Sequence, residues 1–445
     1  MSHPFQHTEK RTQKEFVAQI KTVFDNLPDP RSGKGRNQKY SMSDAAMSAF
    51  SIFFMQSPSF LDHQRLMQKN KGINNAESLF GAYQIPSDNQ IRNLLDTVSP
   101  DCLNPLYWYF YEGLKQQQKL EKFKVLSDHL LVAFDGVQYF SSQKIHCDCC
   151  STKKLKNNKV NYSHTVVTPV IVSPNQSTVI PLSPEFIRPQ DGAKKQDYEL
   201  AASKRWIKNQ AQHLSDKIMV LGDDLYCHQP FCEQIIEKNW DFLLVCKPKS
   251  HQTLYEWVAD FERTESIEKF EQKKWNGTQY LTSRYRWKNK LPLRDTDDAL
   301  MVNWCEVEII NEKGHVIYKN AFATNQDLNK DNIVEIIIAG RARWKIENEN
   351  NNTLKTKGYN FNHNFGHGKK HLSSLLASLI ILAFYTHTLL DWFDECYQLL
   401  KDHLPSRKTF FDDLRALTRY IKFDGWQELM IFMLKGLEIP IPIRV

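Results

Sequence analysis

Two short apolar runs, each ending on aspartate, constrain this chain more than any other feature. Residues 129–135, "HLLVAFD", and residues 217–224, "KIMVLGDD", are nearly continuous hydrophobic stretches with no polar alternation. A strand that is apolar on both faces has to be covered on both faces, which is the situation of a central strand in an α/β sheet. "KRWIKNQAQHLS" and "QPFCEQIIEKN" around the second run read as helices, and "DFLLVCKP" reads as a further buried strand. "VNYSHTVVTPVIVS", rich in β-branched residues, reads as one or two strands. Helix and strand in alternation, with carboxylates at the strand ends, predict an α/β domain.

The pattern differs on either side. Phe16, Ile20, Val23, Phe24 and Leu27 recur at helical spacing. Ser43 is the expected cap of a helix through "DAAMSAFSIFFM", which Ser57-Pro58 ends. A short helix is expected from "PSDNQIRNLLDTV", capped by Ser87 or Asp88. From about 250 to 330 the alternation gives way to "QYLTSRYRW", "ALMVNWCEVEII" and "HVIYKNAFAT", consecutive strands with a turn at Asn311-Glu312-Lys313-Gly314. Helix returns at "KDNIVEIIIAGRARWKIENE" and continues beyond 370. The 445 residues exceed one simple core. The expected layout is a helical N-terminal domain (1–125), an α/β domain (126–390) with a β-rich insertion at about 250–330, and a helical C-terminal region (391–445).

Composition excludes wholesale disorder, at 41% hydrophobic and 24% charged. Nine scattered cysteines, an odd count, argue against a disulfide framework, and "MSHPFQHTEKRTQKEF" has no apolar signal core, so the expectation is a cytoplasmic protein. The most apolar stretch, Leu372 to Leu390, is interrupted by Ser373, Ser374, Ser378, Thr386, His387 and Thr388 and reads as a buried core helix rather than a membrane span. The net charge of +7 permits a polyanionic partner. Over half of that excess lies in the first 40 residues, where eight Lys and Arg face four acids. Arg31, Lys34 and Arg36 in "PRSGKGRNQK" suit a phosphate backbone, with base readout by the short helix near Asn89 to Leu95; a solvated loop on a dimerisation bundle is the alternative.

Three carboxylates stand out. Asp135 precedes Gly136 and reads otherwise as a turn residue; Asp223-Asp224 reads otherwise as a helix N-cap. In "RARWKIENENNN" (341–352) the apolar run Ile336 to Ala339 leads to Glu347, four residues after Arg343, so Glu347 is either an ion-pair partner or a carboxylate wanted for chemistry. Two carboxylates at strand ends and one on a helix after an insertion suit Mg²⁺ or Mn²⁺ and phosphoryl transfer.

The segments "VAFDGVQYF", "VLGDDLYCHQ" and "RWKIENENNNTLKTKGYNFNHNFGHG", with "PSDNQIRNLLD" before them, resemble the DDE transposases of bacterial insertion sequences, in the branch with a ribonuclease-H-like fold and a β-rich insertion before the final glutamate. The resemblance spans about residues 25 to 390. It implies Asp135, Asp223 and Glu347 as the catalytic, metal-binding triad for two Mg²⁺ or Mn²⁺ ions, with Asp223 preferred to Asp224 and Glu349, preceded by Lys345, as runner-up to Glu347. Arg343 and Lys355 would contact DNA. The implied activity is metal-dependent cleavage at transposon ends and strand transfer into target DNA. The partners would be double-stranded DNA and, in the DNA complex, a second copy of the chain, with no membrane role and a cytoplasmic, nucleoid-associated location. A DNA-binding descendant without transposition activity is the alternative, and an unrelated α/β protein a third.

The chain departs from the family pattern twice. Gly340 stands where the family has tyrosine, and Leu354 stands where it has lysine, with Lys355 one residue later. One residue is about 100° of helix, so Lys355 joins the Glu347 face only if a π-bulge or an early helix end absorbs the offset. "HCDCC" (146–150) offers Cys147 and Cys150 with His146 or His164, an incomplete ligand set, and the expectation is a reduced cysteine cluster. His363, His367 and His371 are four apart, but Gly366 and Gly368 argue for a loop near phosphate or solvent.

Overall fold

In the computed structural model, residues 12–31, 39–69, 72–189 and 198–442 are described. The N-terminal helices are α1 (Gln13–Phe24), α2 (Met42–Phe54), α3 (Phe60–Met67), α4 (Asn75–Phe80), α5 (Asp88–Leu95) and α6 (Asn104–Gln116). Ser41, not Ser43, starts α2. Its Oγ accepts the Asp44 N–H at 2.8 Å while the Asp44 carboxylate accepts the Ser41 N–H at 3.2 Å, a reciprocal capping box that Ser43 has no partner to make. Ser87 caps α5, as expected.

The strands are β1 (His129–Ala133), β2 (Gly136–Ser142), β3 (Ser151–Lys154), β4 (Val160–Val167), β5 (Val170–Val172), β6 (Ile180–Pro181), β7 (Glu185–Phe186), β8 (Lys217–Gly222), β9 (Asp241–Val245), β10 (Glu268–Trp275), β11 (Tyr280–Pro292), β12 (Met301–Ile310) and β13 (Val316–Thr324). Nine of them form one mixed sheet in the order β10-β11-β12-β13-β9-β8-β1-β5-β6. β1, β8 and β9 run parallel to one another, and the remaining pairs are antiparallel. Every residue of β1 is buried, as are all but the first of β8, which is what the unbroken apolar runs required. Helices α7 (Glu199–Gln210), α8 (Gln229–Ile236) and α9 (Gln252–Arg263) follow β7, β8 and β9. A small sheet, β2-β4-β3 with β7 on β4, stands beside the large one.

The β-rich stretch opens with a helix, α9, whose Leu254 and Val258 are buried one turn apart. Its four strands are not set apart from the α/β sheet. β13 pairs antiparallel with β9, Phe322 opposite Val245 and Thr324 opposite Leu243, so β10 to β13 prolong the same sheet. After them come α10 (Ile333–Arg341), a π-helical turn (Ile346–Asn351), α11 (Asn352–Thr356), α12 (Leu372–Phe393), α13 (Glu395–His403), α14 (Arg407–Tyr420) and α15 (Trp426–Gly436). Gly340 lies where α10 crosses β13, and a Cβ there would come within 2.8 Å of the Phe322 ring. A larger side chain has no room at that position unless the Phe322 ring moves.

The terminal helices share one core. Phe54 of α2 packs on Trp426 of α15 with centroids 5.3 Å apart, and Phe16 of α1 packs on Phe393 of α12 at 6.2 Å. Helix α12 is long and apolar enough to cross a membrane, but 89% of its apolar window is buried inside the protein. Polar Ser378, Thr386 and His387 are completely buried within it.

Candidate functional site

The β1/β8 register places two aspartates side by side. Ala133 pairs with Leu221, and the Phe134 N–H donates to the Leu221 carbonyl at 2.9 Å. Asp135 and Asp223 therefore each lie two residues past the last pair, at the C-terminal ends of parallel strands about 4.8 Å apart. Carboxyl ends of such strands are where open α/β sheets place ligands. Asp135 is followed directly by β2, so Asp-Gly is not a turn pair here. The glycine answers to space instead: a Cβ on Gly136 would collide with the Glu199 carboxylate.

Glu199 is a site residue that the sequence reading missed. It stands in the first turn of α7, where its Oε1 accepts the Gly136 N–H at 2.9 Å and the Tyr226 hydroxyl at 2.6 Å. The stretch before it in sequence, "RPQDGAKKQDY", is rich in charge and turn formers and carries no pattern that points to the strand ends.

Glu347 comes from the π-helical turn. Its Oε1 is 2.8 Å from Arg343 Nη1, and its side chain is 53% exposed against 19% for the arginine, so the carboxylate remains accessible to solvent. Four residues on, Asn351 Nδ2 donates to Asp135 Oδ2 at 2.7 Å, and Asn351 Oδ1 accepts from Thr168 Oγ1 at 3.1 Å and from Asn350 Nδ2 at 2.9 Å. The asparagine cluster thus serves two ends. It forms the wide turn, and two of its members, Asn350 and Asn351, are buried as the support of Asp135. The side-chain amides of Asn350 and Asn351 bond to Thr168, Asp135 and each other, while Asn350 Oδ1 has no partner among the described residues.

The electrostatics follow from this crowding. The Asp135 carboxyl is pushed up to about 7, first by burial, then by the negative charges of Glu199 and Glu347 and, more weakly, Asp223; Arg343 opposes them. Burial raises Glu199 as well, against the Tyr226 and Gly136 hydrogen bonds and with repulsion from Asp223. Asp135 therefore senses three neighbouring carboxylates, and Glu199 senses Asp223.

Asp224 is turned elsewhere. Its oxygens accept the Lys247 N–H at 2.7 Å and the Ser250 hydroxyl, and His251 Nε2 lies 3.4 Å away, so it anchors the loop after β9. Asp223 caps its own turn through Oδ1, which accepts the Leu225 N–H at 2.9 Å. Lys345 is buried and donates to the carbonyls of Pro174 and Gln176, so it forms no ion pair with Glu349 like that of Arg343 with Glu347. A π turn holds about one residue more than an α turn. Lys355, eight residues after Glu347, is thereby rotated back toward the face that a seventh residue would occupy in a plain α-helix. It makes no ion pair among the described residues.

Of the basic loop, Arg31 is described and is occupied: it pairs with Asp29 at 2.5 Å and donates to the Tyr40 carbonyl at 3.1 Å. Lys34 and Arg36 lie outside the described residues. On α5, Ile91 and Leu95 are buried, while Asn89, Gln90 and Asn93 are exposed. Arg92 and Asp96 hold the loop before α12: Arg92 Nε donates to the Phe365 carbonyl at 3.0 Å, and Asp96 accepts the N–H groups of Lys369, Lys370, His371 and Leu372. That loop carries the three spaced histidines. His363 is exposed and His371 precedes α12, but His367 turns inward to Cys150, contrary to the expectation of phosphate or solvent. His146 stacks on Tyr162 at 4.4 Å rather than joining the cysteines.

Compared with known proteins, the chain matches no family model, and no curated protein sequence matches it.

Proposed function

We propose that this chain is a DDE transposase of the bacterial insertion-sequence kind, cleaving DNA at transposon ends and joining those ends to target DNA. The observation that carries this reading is the level placement of Asp135 and Asp223 on adjacent parallel strands, with Glu347 close enough to repel the Asp135 charge. The strand order β6-β5-β1-β8-β9, with β1, β8 and β9 parallel and β5 and β6 antiparallel, supports a ribonuclease-H-like fold for the centre of the chain. The extension β10 to β13 before Glu347 fits the insertion of that branch.

The donor set fits hard divalent cations. Carboxylate oxygens are the ligands that Mg²⁺ and Mn²⁺ prefer, and a site where burial, with the charges of Glu199 and Glu347, holds one acid up to about 7 has a deficit of positive charge. Asp135, Asp223 and Glu347 would hold two such ions, which when bound stabilise the attacking and leaving oxygens of a phosphodiester displacement. Asn351 fixes the Asp135 carboxylate through one oxygen and leaves the other for the site. Glu199 sets the rear wall and keeps the local potential negative. Arg343 and Lys355 supply positive charge for a DNA phosphate on the open side. The basic N-terminal loop would grip double-stranded DNA in a dimeric, cytoplasmic complex.

The test is divalent-ion-dependent nicking of plasmid DNA that carries the chain's own coding region with its flanks. Wild type should nick at the flanks in Mg²⁺ or Mn²⁺. Asp135→Asn, Asp223→Asn and Glu347→Gln should each lose at least a hundredfold in rate while still binding DNA, because affinity rests on cation–phosphate contacts. Undiminished nicking in all three would remove the triad. Flank-specific binding with no nicking under any metal would favour a DNA-binding descendant.

A further inference from the structure

Beyond the carboxylate site, four sulfur and nitrogen ligand atoms converge from three separate segments. Cys147 and Cys150 sit in the connection from β2 to β3, His164 lies in β4, and His367 lies in the loop between α11 and α12. Their ligand atoms all fall within 4.8 Å of one another. The two Sγ atoms are 3.8 Å apart, and Cys147 to His164, Cys150 to His164 and Cys150 to His367 are each 3.5 Å. We propose that Cys147, Cys150, His164 and His367 form a structural zinc site that clasps the small sheet to the loop following the Glu347 helix.

The distances are those of a tetrahedron around zinc. With Zn–S of about 2.3 Å and Zn–N of about 2.0 Å, the edges of a regular tetrahedron come to about 3.8 Å for sulfur to sulfur and about 3.5 Å for sulfur to nitrogen. The sulfurs are far beyond the roughly 2.05 Å of a disulfide, and both cysteines are free. Both histidines present Nε2 to the cluster. The Nδ1 of His367 is buried with no partner among the described residues, so Nε2 is the ring's polar anchor while the ring packs on Phe140 with centroids 4.5 Å apart. One ion at the centre satisfies all four ligands, with the two thiols releasing their protons on binding. Four protein ligands close the shell, which makes the site structural rather than catalytic.

Its position gives it a consequence. Cys150 and His367 are 217 residues apart in sequence. β2 starts immediately after Asp135, and the His367 loop follows the α11 that continues from Glu347. The clasp therefore ties together the two chain segments that leave the carboxylate site. The other side of the same loop is held by Arg92 and Asp96 of the N-terminal helical region.

The experiment is metal analysis of the full-length chain, followed by Co²⁺ replacement after chelation. About one zinc per chain is expected to survive dialysis, and the Co²⁺ form should show tetrahedral visible absorption with a thiolate-to-metal charge-transfer band. That band separates this site from the carboxylates, and Asp135→Asn should leave it intact. His367→Ala and Cys147→Ser should each weaken metal retention at least tenfold, whereas Cys149→Ser and His146→Ala should not change it. A folded wild-type chain that takes up Co²⁺ without a thiolate band would overturn the proposal. So would loss of the band in Cys149→Ser, or its full retention in His367→Ala. Should a ligand variant fail to fold, the wild-type titration decides alone.

Discussion

Replacing Asp135 with asparagine should make the metal-free protein more stable at alkaline pH, although it removes a residue proposed as essential. The Asp135 carboxyl is held up to about 7 from an ordinary 3.8 by burial and by Glu199 and Glu347. Below about pH 4 both the folded and the unfolded chain carry the proton, and nothing changes. Between about pH 4 and 7 the unfolded chain loses it while the folded chain keeps it, so stability falls as pH rises, and above 7 the loss is complete. About three pKa units at ~1.4 kcal/mol each give an upper limit of ~4 kcal/mol. Titration shared with Glu199, itself raised by burial, reduces the portion lost with Asp135 below that limit. Asparagine keeps an oxygen for the Asn351 amide, so the hydrogen bond survives. The assay is urea unfolding of wild type and Asp135→Asn in chelator at pH 5 and pH 8.5. Wild type should lose ~1–3 kcal/mol more than the variant over that interval, since only the part of the shift above pH 5, about two units, falls within it. Adding Mg²⁺ at pH 8.5 should restore wild type and leave the variant unmoved, since a ligand stabilises only the state that binds it. Parallel pH profiles for the two proteins would refute the electrostatic account of the site.

Three further outcomes follow from named contacts. Glu199→Gln keeps both of its hydrogen bonds but removes the largest carboxylate repulsion on Asp135, so Asp135 should titrate at a lower pH, as carboxyl-labelled NMR would show. Asp224→Ala should cost ~1–3 kcal/mol of stability by freeing the Lys247 and Ser250 partners, whereas Asp223→Ala should cost less stability and remove cleavage; the reverse pattern would exchange their roles. Changing Arg31, Lys34 and Arg36 together to alanine should reduce the slope of log K against log salt by about two units rather than three, because Arg31 is already paired with Asp29. An unchanged slope would move DNA recognition away from this loop.

The strands β1, β8 and β9 were legible because burial on both faces leaves an unbroken apolar signature, which also placed Asp135 and Asp223 just past the ends of two of them. A helix irregularity around Glu347 was legible too, from the run of asparagines, which are weak helix formers. What the sequence hid were partnerships across long separations. Glu199 reaches the site from 63 residues beyond Gly136, and His367 reaches Cys150 across 217 residues. Neither residue carries a local pattern, because its partner is set by how strands and helices stack. The pairing of β13 with β9 was hidden for the same reason: a strand that joins the main sheet and a strand of a separate small sheet look alike until their neighbour is known. α9 was missed because only Leu254 and Val258 of its apolar face are buried, too few to stand out from the strands that follow.

The most direct test of the central claim is joining. Linear DNA bearing both flanks of the coding region, incubated with the purified chain, Mg²⁺ and a target plasmid, should yield molecules in which the 3′ ends of the element are covalently attached to target DNA, found by sequencing across the junctions. Wild type is predicted to produce such junctions, and Asp135→Asn, Asp223→Asn and Glu347→Gln none. Folded wild-type protein that binds the flanks and yields neither cleaved ends nor junctions in Mg²⁺ or Mn²⁺ would contradict the account.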